Sequence, residues 1–190
     1  MQNQINVEQL NELILKASNG DAKAFETIVR SYYKFGYAVA FKILYNEEDA
    51  KDVVQECFIR IWKHLKEYDK KIKFTTWMYK IVVNLCFDRL KSQKRKRNIF
   101  KNYDEDYDVN IPSGINLEKD LTNKELAAMI KHFANGLSEK QKTVFILRDM
   151  EDLSIEEVSE IMNISSGSVK TNLFYARQSI RMKIIEWESK

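Results

Sequence analysis

Apolar residues recur every three or four positions along most of the chain, and short polar breaks interrupt them. This is the pattern of amphipathic helices separated by caps and turns. Val7, Leu10, Ile14 and Ala17 fall on one face of a first predicted helix. The stretch "SNGD" ends it, with Gly20 suited to a left-handed backbone and Asp21 to an N-cap. A long helix is predicted from Asp21 to about Leu44, carrying Phe25, Ile28, Val29, Tyr32, Tyr33 and Phe41. Asn46 and Asp49 can each cap the next helix, whose expected buried stripe is Val54, Cys57, Phe58, Ile61 and Leu65. After the loop "KEYDKKIK", Trp77, Met78, Ile81, Val82, Leu85 and Cys86 form another stripe. Four helices with short connections suit one bundle.

The period fails after Arg97. "NYDEDYDVNIPSGINLEKD" holds the single proline, Pro112, and acids at Asp104, Glu105, Asp106 and Asp108, and reads as a flexible acidic linker. Capping boxes then follow at Thr122/Glu125, Ser138/Gln141 and Ser154/Glu157, with a stop at Gly136. They mark a small domain of about four helices. The expected fold is all-α, with helical domains at 1–98 and 122–190 and a linker at 99–121. Near its end, "IEEVSEIM" is followed by Asn163, a candidate for a left-handed turn, and a helix starting at Ser165 or Ser166. Two helices joined by so short a turn are a helix-turn-helix. Val169, Leu173, Ala176, Ile180 and Ile184 face inward on the second helix. Ser168, Lys170, Thr171, Phe174, Tyr175 and Arg177 face outward.

Composition narrows the chemistry. The net charge of +3 is too small to argue for a polyanion partner, so the distribution of charge must carry that argument. Cys57 and Cys86 sit among apolar residues and read as buried reduced thiols; neither they nor His64 and His132 make a metal set. No apolar run is long enough for a membrane span, and "MQNQINVEQLNELI" is not a signal peptide, so a cytoplasmic protein is expected. The last helix has no acid in its first turn, which leaves its dipole and N–H groups for phosphate. Its hydroxyls, Lys170 and Arg177 suit backbone contacts, and Thr171, Phe174 and Tyr175 suit base edges or thymine methyls. In the first domain, Tyr68, Phe74, Trp77 and Tyr79 stand among lysines, a mixture that suits single-stranded nucleic acid, although residues such as Phe74 and Trp77 are more often core. The run from Arg89 to Arg97 fits either duplex phosphate or a solvated helix end.

These stretches together carry a resemblance. "AKDVVQECFIRIW", "FTTWMYKIVVN" with its basic helix end, the acidic linker, and "LSEKQKTVFILRDMEDLSIEEVSEIMNISSGSVKTNLFYARQSIR" resemble an extracytoplasmic-function (ECF) RNA polymerase sigma factor. The resemblance implies a region-two domain that binds core polymerase and the melted −10 element, and a region-four domain that reads the −35 element. It implies no catalysis and no cofactor. By position, Asp52, Gln55 and Glu56 would meet the polymerase. Tyr68, Lys71, Lys73, Phe74, Trp77, Asn84 and Arg89 would serve the −10 strand, Trp77 mostly in a structural role. Arg148, Ser166, Ser168, Lys170, Thr171, Phe174, Tyr175 and Arg177 would serve the −35 duplex. Asp152 and Asn163 stand where relatives commonly have glycine, and Asn172 and Tyr175 where arginines are common. The family also implies an anti-sigma partner, often membrane-anchored. A free-standing helix-turn-helix regulator would explain only the second domain, and a nucleic-acid enzyme would need a catalytic constellation that the sequence does not offer.

Overall fold

The computed structural model describes residues 5–100, 132–134 and 136–189, and every regular element among them is helical. The N-terminal half comprises α1 (Val7–Ser18), α2 (Ala22–Leu44), α3 (Glu47–His64) and α4 (Phe74–Phe100), with a 3₁₀ turn at Leu65–Glu67. The C-terminal domain comprises α5 (Glu139–Phe145), which runs into a π-helical turn at Ile146–Met150, then α6 (Ile155–Met162) and α7 (Ser166–Glu188). The acidic linker and the Thr122/Glu125 box lie outside the described residues.

Side-chain caps set the helix ends. Asp21 accepts hydrogen bonds from the Lys23 and Ala24 amides, and Asn46 accepts one from the Asp49 amide at 2.9 Å. The Ser138/Gln141 and Ser154/Glu157 boxes close in both directions, each side chain serving the other residue's backbone N–H. A further box, Asn6 with Gln9, opens α1 and was not foreseen in the sequence. Gly20 and Gly136 take positive φ angles of 95° and 86°. Asp152 and Asn163 are also left-handed, so the two positions where relatives place glycine keep glycine-like geometry. Tyr45 joins them at the end of α2.

Packing follows the predicted stripes. Helix α2 lies against α1, α3 and α4, and α3 against α4. Ile28, Ile43, Val54, Ile61, Met78, Val82 and Val83 are fully buried between them. Cys57 and Cys86 are buried and unpaired, and burial pushes the Cys57 thiol up to about 12 and the Cys86 thiol higher still. Two stripe ends depart from expectation: Val7 is 74% exposed and Ile184 37% exposed. At 100° per residue each lies about 50° from the centre of its stripe, at the edge of the packed face. Asp49 is not a cap. Its carboxylate is buried and turned toward α4.

The two domains touch. Helix α6 packs on α4, the π turn packs on α2, and Val158 and Ile161 belong to the same buried cluster as Met78 and Val82.

Candidate nucleic-acid interface

The α6–turn–α7 unit is built as the sequence suggested. Asn163 takes φ 52°, ψ 49°, which stops α6 and redirects the chain. The Ile164 amide then bonds the Ser159 carbonyl at 3.1 Å, tying the turn to α6. The Ser168 amide donates to the Ser165 hydroxyl at 3.1 Å. The N-terminus of α7 is therefore partly capped from within, and is less open to phosphate than the sequence implied.

Helix α7 separates two chemistries by face. Val169, Leu173 and Ala176 are buried, while Lys170, Thr171, Phe174, Tyr175 and Arg177 are exposed. Phe174 and Tyr175 are 62% and 52% exposed, with ring centroids 5.5 Å apart and edge-on. Single exposed apolar residues are ordinary, but two adjacent aromatics beside a lysine and a threonine offer base-sized contact area. Ser166 and Ser168 are half-buried at the helix start. Asn172 bonds back to the Ser168 carbonyl at 2.8 Å, and the Thr171 hydroxyl to the Gly167 carbonyl at 3.0 Å. Arg177 is held within the domain: its guanidinium donates to Asp149 through two bonds of 2.8 and 2.6 Å, which raises its pKa. Arg148 is half-buried and reaches Asp152 at 3.4 Å.

In the N-terminal bundle the aromatic residues form one cluster. Tyr68 and Trp77 lie 5.0 Å apart at 33°, and Phe74 stands edge-on to Tyr32 at 5.0 Å and to Tyr68 at 5.8 Å. Phe74 is only 3% exposed, so it wedges the cluster and cannot stack on a base. Trp77 is half-buried, in keeping with a structural role. Tyr68 keeps part of its ring accessible, with its hydroxyl donating to the Ile72 carbonyl to close the loop. Lys71 is exposed on that loop, and Lys73 meets Glu157 of the other domain at 2.8 Å. Asn84 is exposed about two turns beyond Trp77, on the same side of α4.

Asp52, Gln55 and Glu56 are exposed on the face of α3 opposite Val53, Val54 and Cys57. Glu56 accepts from Arg60 at 2.9 Å. Arg89 lies between α4 and α3. Its Nε donates to Asp49 at 2.7 Å and its Nη2 to Asp52 at 3.1 Å, and Gln93 donates to the other oxygen of Asp49 at 2.6 Å. Asp49 raises the Arg89 pKa and fixes the guanidinium against α3. The sequence reading missed Asp49 and Gln93 as a locus. The available signal was the spacing, because acids at i and i+3 on one helix match donors at i and i+4 on another.

Among the described residues, no group of acids, histidines or cysteines could hold a metal ion, and no helix is long and apolar enough to cross a membrane.

Comparison with known proteins agrees with this geometry. Residues 28–96 match the family model Sigma-70 region 2, and residues 127–180 match Sigma-70, region 4. The chain is 30% identical to the ECF RNA polymerase sigma factor SigW of Bacillus subtilis over 182 residues, covering 92% of this chain and 96% of that one. It is 33% identical to the ECF RNA polymerase sigma-E factor of Haemophilus influenzae over 188 residues, covering 93% and 97%. In overall fold it is similar to CnrH, solved with the cytosolic domain of CnrY, at a TM-score of 0.68 and 19% identity over 94% of this chain and 98% of that one. RpoE of Bartonella quintana, solved with the anti-sigma factor NepR, gives a TM-score of 0.67 at 18% identity over 85% and 96%. The chain belongs to the ECF sigma factors, the non-catalytic subunits that direct RNA polymerase to promoters and so set where transcription begins.

Proposed function

We propose a division of this promoter-directing work between two domains, at 1–98 and 122–190. The first binds core polymerase through Asp52, Gln55 and Glu56 and takes the −10 strand with Tyr68, Lys71 and Asn84. The second reads the −35 duplex with Lys170, Thr171, Phe174 and Tyr175, while Ser166, Ser168 and Arg148 lie where phosphates pass. Phe74, Trp77, Arg89 and Arg177 support these surfaces from behind. The observation that carries the reading is the split of α7, where a charged and aromatic row stands exposed opposite a buried apolar stripe. Asn84, Gln55 and Glu56 are exposed on their helices, and recognition supplies a reason. The protein works in the cytoplasm, where its polymerase is. CnrH was solved with the cytosolic domain of CnrY and the Bartonella RpoE with the anti-sigma factor NepR, and by likeness of fold an anti-sigma protein is assigned to this chain too.

Two assays on point variants test the division. Lys170→Ala and Phe174→Ala should weaken recruitment of holoenzyme to duplex promoter DNA in filter binding. Asn84→Ala should leave recruitment largely intact and lose permanganate-reactive open complex. If Asn84→Ala abolishes recruitment as fully as Phe174→Ala yet melts DNA normally once bound, the division is wrong.

A further inference from the structure

The two acids on the exposed face of α3 are each held by an arginine of this chain, and each through a single oxygen. Arg60 Nε donates to Oε1 of Glu56 at 2.9 Å. Arg89 Nη2 donates to Oδ2 of Asp52 at 3.1 Å. Among the described residues no donor reaches the other oxygen of either carboxylate, and Gln55, exposed between them, has no side-chain partner. One acceptor oxygen of each acid is therefore turned outward while its twin is tied down.

The hold on Asp52 is anchored below the surface. Arg89 Nε donates to Asp49 at 2.7 Å, and Gln93 fills the other oxygen of that carboxylate at 2.6 Å. The Asp49 side chain is 12% exposed and that of Asp52 60%. The two acids lie one turn apart on α3, so a single planar guanidinium spans both. Asp49 already orders Arg89, and its grip on Asp52 costs little further side-chain freedom. The Arg60 pair is exposed and weaker, but its acid precedes the arginine by four residues, the favourable order on a helix. In Coulomb terms these cations are a disadvantage: beside acids that face a cationic partner, they reduce the attraction. Orientation of the carboxylates supplies the compensating gain.

We infer that Arg89 and Arg60 are positioning residues of the polymerase face: they fix Asp52 and Glu56 before binding, each with one oxygen presented to a donor on the polymerase. This rests on the assignment of Asp52, Gln55 and Glu56 to polymerase. Arg89 belongs to α4, the helix that carries Asn84, so the same guanidinium also sets the polymerase face in register with the helix assigned to the −10 strand.

The test titrates purified core RNA polymerase into the full chain, labelled at its N-terminus, and reads fluorescence anisotropy, with urea denaturation as the separate measure of stability. Arg89→Lys keeps the net charge and a cation for the buried Asp49, but lacks the planar fork that spans both acids. Arg60→Gln alters an exposed pair only. Each should weaken core binding about 2- to 10-fold, the scale of releasing one ordered side chain. Arg60→Lys restores the pair and should recover most of the loss. The direction is diagnostic, because a contact governed by net charge alone would tighten when Arg60 loses its cation. In an Asp52→Ala background Arg89→Lys should have no further effect on core binding, and in a Glu56→Ala background Arg60→Gln should have none. Unchanged or tighter binding by the arginine variants, with Asp52→Ala and Glu56→Ala both weakened, would overturn the positioning role and leave the polymerase face standing. A loss that persists in the alanine backgrounds would also overturn it, since the arginines would then touch the polymerase themselves. Full binding by Asp52→Ala and Glu56→Ala would overturn the polymerase face and this inference with it. Arg60→Gln, which strands no buried partner, decides the question where Arg89→Lys costs the fold.

Discussion

Leu173 and Phe174 are neighbours in sequence and opposites in role, and truncating each to alanine separates folding from recognition. Leu173 is 7% exposed and packs with Val169, Val158 and Ile161 in the buried cluster. Leu→Ala at such a site removes transfer free energy and leaves a cavity, for a loss of about 2–5 kcal/mol. Phe174 is 62% exposed, and its ring stands edge-on to Tyr175 at 5.5 Å. Its truncation should change stability by no more than about 0.5 kcal/mol. On promoter DNA the order reverses. A lost base contact is worth about 1–3 kcal/mol, or roughly 5- to 150-fold in affinity. Urea denaturation followed by circular dichroism gives the first quantity, and anisotropy titration of holoenzyme on a promoter duplex gives the second. Leu173→Ala should unfold early, while Phe174→Ala should unfold with wild type and bind weakly. If Phe174→Ala costs as much stability as Leu173→Ala, the ring is core and the recognition face has been misplaced.

Other outcomes follow from particular contacts. A Cβ on Gly36 would lie 3.6 Å from Val54 Cγ2, an ordinary contact, so Gly36→Ala should gain up to about 1 kcal/mol of helix propensity and raise Tm by a few degrees in a thermal melt. Asp49→Ala should cost about 1.5–3 kcal/mol, since it strands Gln93 and loosens Arg89, and a double-mutant cycle with Arg89→Ala should show strong coupling in urea melts. Cys57 and Cys86 should resist iodoacetamide in the native protein at pH 8 and react on unfolding, as mass spectrometry would show, because burial raises both thiols. Glu157 has a lowered pKa, so its pairing with Lys73 contributes above the ordinary carboxylate value and is lost as pH falls through the lowered one. A spin-label distance between the domains should therefore lengthen in acid, and Glu157→Gln should flatten that response.

Most of the helical layout was legible because its signals are local. Caps at Asp21, Asn46, Ser138 and Ser154 each depend on residues within one turn, and the stripes from Val54 to Leu65 and from Val169 to Ala176 follow a fixed period. The left-handed turn at Asn163 was readable for the same reason, whereas Asp152 stood out only through the resemblance, as a position where relatives have glycine. Long-range charge pairing was not. Arg89 and Arg177 look like phosphate ligands in a linear sequence, and only folding brings Asp49, Asp52 and Asp149 against them. Phe74 is buried, as its residue type favoured, while the resemblance placed it with the −10 strand; the mixture of aromatics and lysines that suits single-stranded DNA also suits the rim of a core. The contact of one domain with the other includes Lys42, Lys73, Lys94 and Lys142, whose partners lie far away in the chain and leave no periodic trace.

The central claim is promoter direction, and transcription reconstituted from purified parts tests it most directly. Core RNA polymerase, a promoter library and this chain should together yield transcripts with discrete start sites that core alone does not make. Replacing Gln55 with alanine and Glu56 with lysine should remove those transcripts along with core binding, since a reversed charge at an interface is repulsive. Transcripts of unchanged strength from that variant would contradict the assignment of the polymerase face. A wild-type chain that binds core polymerase yet directs no start at any promoter would contradict the account as a whole.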